Sequence, residues 1–166
     1  MRSRSLGPRF VLRSRNAGSF MSQTREVGPH RAQLDQSVLR LELEGEVTVA
    51  HAAQLMEFIF ASDAAQDRLG LLIVTKSKLA ISAEARRFLV KSSRSARPSM
   101  PTAVIGTGAL VRALLTLLLN ATRLTMRKEV PAAFFATEAE ALPWLHAQIE
   151  HRARALARSL PKPPAA

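Results

Sequence analysis

Cysteine is absent from the 166 residues. Disulfides, thiolate metal sites and cysteine nucleophiles are therefore excluded, which agrees with a reducing compartment and suits a cytoplasmic protein. Tyrosine is absent too, and Trp144 is joined by only seven phenylalanines. No motif of stacking aromatics for single-stranded nucleic acid is present. Long uncharged apolar runs are also missing. The stretch "ALLTLLLNA", preceded by Arg112, is about half of the roughly 20 residues a membrane span needs.

Acidic residues are scarce, 13 against 24 lysines and arginines, for a net charge of +11. That excess sits at the two ends. Residues 1–36 hold seven arginines against Glu26 and Asp35, and residues 151–166 hold Arg152, Arg154, Arg158 and Lys162 with no acid. The middle is nearly balanced. Basic tails attract polyanions, nucleic acid or anionic membrane, in a salt-dependent way, but they do not read sequence.

The first twenty residues, "MRSRSLGPRFVLRSRNAGSF", contain five arginines, four serines and no acidic residue. No apolar run of roughly 7–15 residues follows, so they are not a secretory signal. They read as an extension ahead of a true start at Met21, and their composition also permits a mitochondrial-type presequence. Residues 1–26 are expected to be a basic disordered extension, and 158–166, ending "PKPPAA", a disordered tail.

What remains, residues 27–157, alternates between two periods. "SVLRLELEG" (37–45) places Leu39, Leu41 and Leu43 on one face, a half-buried strand ended by Gly45. "VGPHRAQL" before it is a weaker strand, an antiparallel edge partner joined through Asp35-Gln36. Thr48 has the character of an N-cap. Ala52, Leu55, Met56 and Ile59 then mark an amphipathic helix of roughly three turns. After the polar break "SDAAQDR", the unbroken run "LGLLIVT" (69–75) suits a strand covered on both faces.

Ser82 opens the next helix, with Ala85, Phe88 and Leu89 as its buried stripe. "TAVIGTG" (102–108) is a second buried strand, "ALVRALLTLLLNATR" (109–123) an apolar helix, and "VPAAFFA" (130–136) a third strand. Thr137 and Glu140 have the spacing of a capping box ahead of a last helix running to about residue 157. The order is α/β, with right-handed crossovers making the later strands parallel.

That order, carried by "LLIVTKSKLAISAEARRFL", "TAVIGTGALVRALLTLLL" and "FFATEAEALPWL", resembles the STAS superfamily, and within it the SpoIIAA-like branch of anti-sigma-factor antagonists. The resemblance spans residues 27–150. It implies a single mixed, mostly parallel sheet of about five strands with about four helices, and a regulatory, protein-binding role without catalysis. Antagonists of this kind carry a phosphorylatable serine in an Asp-Ser-Ser-Gly-like turn at a helix N-terminus. The matching turn here is "AISAEA", so the candidate phosphoacceptor is Ser82. Ile81, Glu84 and Thr75 depart from the family pattern, and a serine before Ala-Glu-Ala is also what plain helix capping requires.

The densest basic group of the folded part surrounds the same helix: Lys76 and Lys78 on the loop before it, then Arg86, Arg87, Lys91 and Arg94. Arg87, Lys91 and Arg94 stand at i, i+4 and i+7. These six are the candidate contact residues for a protein partner, and the family uses the same helix for that purpose. A solvated helix face has the same spacing.

Nothing points to an enzyme or a cofactor. "GTGAL" (106–110) lacks the Gly-Lys-Ser/Thr ending of a P-loop and the third glycine of a dinucleotide fingerprint. His30 and His51 fall in different elements, His146 and His151 stand five apart in the last helix and do not share a face well, and no pair has metal-ligand spacing with a carboxylate. "FFA" with Trp144 and the Leu-rich helix 109–119 suit core packing, an apolar pocket or contact with a second subunit. The leading expectation is therefore a non-enzymatic interaction module. The alternative is a domain binding a small apolar ligand or lipid between the sheet and helix 109–121.

Overall fold

The computed structural model describes residues 22–65, 69–76, 79–93, 100–106, 108, 112–113, 116 and 131–159. Its centre is β3 (Val38–Leu43), where the period-two pattern is realised: Leu39, Leu41 and Leu43 are buried while Arg40 and Glu42 lie half-buried on the opposite face. β2 (His30–Asp35) pairs antiparallel with β3 through a tight turn in which Gln36 takes a φ of 51°. β2 is not the edge. β1 (Gln23–Val27) pairs antiparallel with it, and all of it but Val27 falls in the stretch 1–26 expected to be disordered.

Thr48 caps α1 (Val49–Ala65) as expected: its carbonyl accepts the Ala52 N–H at 2.9 Å and its hydroxyl the His51 N–H at 3.3 Å. The helix outruns the expected three turns and absorbs the start of the polar break. Ser62 is buried there because its hydroxyl donates to the Phe58 carbonyl, 2.8 Å away, and so is satisfied within the helix. β5 (Gly70–Thr75) then returns parallel to β3.

A two-stranded ribbon follows, made by β4 (Glu46–Val47) and β6 (Ala80–Ile81) in parallel. α2 (Ala83–Ser93) leaves directly from it, and β7 (Thr102–Ile105) and β8 (Ala132–Phe135) complete the sheet. The six strands run β1-β2-β3-β5-β7-β8, parallel from β3 onward. This is one strand more than expected, with the ribbon in addition. α3 (Glu138–Ser159) closes the described chain. Of the expected helix 109–123, only Arg112, Ala113 and Thr116 are described, and they are helical; the rest lies outside the described residues.

The sheet separates two cores. α1 covers β1–β3 on one face, burying Leu34, Leu39, Leu41, Leu55 and Ile59 together. α3 lies on the other face over β5, β7 and β8, with Leu72, Ala103, Ile105, Ala141, Leu145 and Ile149 between them. Gly70 is the point of closest approach: a Cβ there would stand 2.8 Å from carbons of Leu145 and Ile149. α2 sits on α1, and Val47, Ala52 and Ala85 form their buried contact.

Candidate functional site

Ser82 is fixed by three hydrogen bonds. Its N–H donates to the Val47 carbonyl (3.1 Å), its carbonyl accepts the Arg86 N–H (3.0 Å), and its hydroxyl accepts the Ala85 N–H (3.1 Å). The side chain is therefore the N-cap of α2, satisfying one of the donors that a helix start leaves open. The ribbon places it, because β6 ends one residue earlier and is held to β4.

From this cap α2 presents two stripes. Ala85 is fully buried with Phe88 and Leu89 packed beside it, against α1 and the ribbon. The other stripe, at i, i+3, i+4, i+7 and i+8, is Ala83, Arg86, Arg87, Val90 and Lys91, which line one open depression. Arg86, Arg87 and Lys91 are exposed, and none forms an ion pair with a described residue. Three exposed cations without an ion-pair partner among the described residues, beside Ala83 and Val90, form a surface complementary to an anionic or acidic one.

The other expected contact residues part from this group. Lys76 follows β5 with the parity of Leu72 and Val74, which belongs to the α3 face of the sheet. Its ammonium is 3.7 Å from Glu42 and 3.6 Å from Glu44. Arg40 continues that network to Glu42 at 3.0 Å and to Glu138 in the first turn of α3. Lys76 is thus engaged in a surface charge network with Glu42 and Glu44. Lys78 and Arg94 lie outside the described residues.

A second polar cluster escaped the sequence reading. His30 is fully buried at the start of β2, and its Nε2 lies 3.2 Å from Nδ1 of His51 in the first turn of α1. The rings meet edge-on, 76° apart in plane. His30 Nδ1 accepts the Glu44 N–H at 3.3 Å, so the neutral ring carries its proton on Nε2 and donates it to His51. Burial, and secondarily the neighbouring His51, hold His30 below the ordinary imidazole value of 6.5. Gly28, at a φ of +58°, lets the β1–β2 turn press on this pair; a Cβ there would stand 2.7 Å from His51 Nε2. The one available signal was parity, since His30 shares its face with Ala32 and Leu34.

No group of three or more metal-ligating side chains occurs among the described residues, and no described helix is long and apolar enough to cross a membrane. No family model matches the chain, and no curated protein matches it. A solved structure does: an uncharacterized protein of the DUF3478 family from Shewanella loihica PV-4, with a SpoIIAA-like fold. The similarity has a TM-score of 0.50 at 18% identity, over 80% of this chain and 98% of that one. The chain has a SpoIIAA-like fold. This agrees with the STAS-type architecture expected from the order of elements, and at that identity the likeness is one of fold.

Proposed function

We propose that this SpoIIAA-like domain is a non-enzymatic interaction module and that it docks a protein partner on the outer stripe of α2. One observation carries the reading: Arg86, Arg87 and Lys91 line an open depression together with Ala83 and Val90, on a helix whose opposite stripe is already used against α1. The partner surface that fits is acidic with a small apolar centre. Ser82 serves this module as the residue that starts the helix, and docking needs no phosphate on it.

The test compares wild type with the Arg86→Glu/Arg87→Glu/Lys91→Glu variant. Both are purified under native conditions after crosslinking in cells, and their thermal unfolding is compared in parallel. The reading expects a near-stoichiometric partner that the variant loses while keeping its unfolding temperature. A partner retained in full by the variant would place docking elsewhere. The expected apolar-ligand pocket beside helix 109–121 lies outside the described residues.

A further inference from the structure

We propose that the His30–His51 pair is a proton-operated latch that holds the β4–β6 ribbon and, through it, the start of α2. The pair joins three segments that are distant in the chain: the β1–β2 turn, the β3–β4 turn and the first turn of α1. The β3–β4 turn is the output. Glu44 donates its N–H to His30, and the next residue, Gly45, accepts the Ala80 N–H of β6 at 2.9 Å. Glu46 and Val47 then pair with Ala80 and Ile81, and the Val47 carbonyl holds the Ser82 N–H. An unbroken series of backbone contacts thus runs from the imidazole to the cap of α2.

A second proton on His30 breaks this at its first link. Both ring nitrogens become donors, so Nδ1–H would face the Glu44 N–H, donor against donor. The new charge would also lie beside the positive end of the α1 macrodipole. Nothing acidic compensates among the groups facing the ring. β3 and its turn offer the Glu44 N–H; β4 offers the Glu46 backbone, a hydrogen-bond partner that favours the proton but is outweighed by burial and His51; α1 offers His51; the β1–β2 turn offers Val27 and Gly28. The neighbouring carboxylates are turned elsewhere: Glu44 to Lys76, Glu57 to Arg25, Glu26 to Arg31, and Glu46 is exposed. Taking up the proton therefore requires the turn to move away, and the turn is one partner of the ribbon.

This inference rests on the α2 reading for its consequence, because a loosened ribbon alters the surface proposed to dock a partner. Its test uses the free protein and so stands or falls separately. Histidine ring signals and amide hydrogen exchange are followed by NMR on the full chain between pH 7.5 and 5. His30 is expected to titrate below 6.5. Exchange at Ala80–Arg86, corrected for its intrinsic pH dependence, should accelerate below that value. One linked proton allows at most about tenfold per pH unit. His30→Asn, which keeps an acceptor for Glu44, should abolish the acceleration. His51→Ala should move the His30 titration and the exchange response upward together, and it serves where the first variant does not fold. A His30 that titrates at its ordinary value would overturn the latch. So would a ribbon indifferent to His30 titration, a response that survives His30→Asn, or one that stays in place in His51→Ala.

Discussion

Removing the Ser82 hydroxyl takes the acceptor away from the Ala85 N–H while leaving both backbone bonds of residue 82 in place. Ser82→Ala is therefore expected to cost about 1 kcal/mol, the usual worth of an N-cap, and Ser82→Asp to retain most of it. Denaturant unfolding of the three proteins checks this. An alanine variant as stable as wild type would contradict the capping role. Gly106 is a harsher case. Its φ is +76°, and a Cβ would stand 2.6 Å from the Thr75 carbonyl oxygen, backbone that cannot swing aside. Thr75 is itself tied there, its hydroxyl donating to the Ile105 carbonyl at 3.0 Å. Gly106→Ala should cost at least about 2 kcal/mol, combining left-handed strain with the clash. A shift of the unfolding midpoint within experimental error would count against it.

Elements whose faces are set by local periodicity were readable directly. Leu39, Leu41 and Leu43 announce β3, the unbroken run at 69–75 announces β5, and Thr137 with Glu140 announces α3. That capping box forms in both directions, Thr137 Oγ1 accepting the Glu140 N–H and the Glu140 carboxylate accepting the Thr137 N–H, each at 3.3 Å. β1 was not readable, because "QTREV" has a single buried residue, Val27, and only its pairing with β2 makes it a strand. The basic stripe of α2 was visible from its spacing. Lys76 is near that stripe in the chain, but its parity with Leu72 and Val74 sets its ammonium beside Glu42 and Glu44, a pairing its neighbours in sequence do not signal.

The packing of α3 gives the prediction at this scale. Leu145 is fully buried, so Leu145→Ala should cost roughly 2–5 kcal/mol. Gly70→Ala would overpack the same spot by roughly 1–3 kcal/mol. Because the new methyl would enter the space vacated by Leu145, the double variant should cost less than the two single changes added together. Strict additivity in urea unfolding would contradict the contact.

For the whole molecule, the buried His30 makes stability depend on pH in a definite direction. Its folded value is lowered, so the unfolded chain binds the proton more readily. Stability is then full above 6.5 and falls as pH drops below it towards the folded value. One such group changes the unfolding free energy by at most about 1.4 kcal/mol per pH unit. The difference between wild type and His30→Asn, measured by thermal unfolding from pH 7.5 to 5, isolates it from the carboxylates. Equal pH profiles would show that His30 is not the group responsible.

Period, caps and turns are properties of neighbours in the chain, with rises and hydrogen bonds spanning a few residues, and from them the α/β order, the helix starts and the two stripes of α2 follow. The meetings that give this molecule its particular character are long-range. His30 finds His51 at a separation of 21 residues, and Arg40 finds Glu138 at 98. No local pattern encodes such pairs. They arise because a parallel crossover returns each strand beside an earlier one and sets helix N-termini against turns, so only the completed sheet decided which polar side chains face each other.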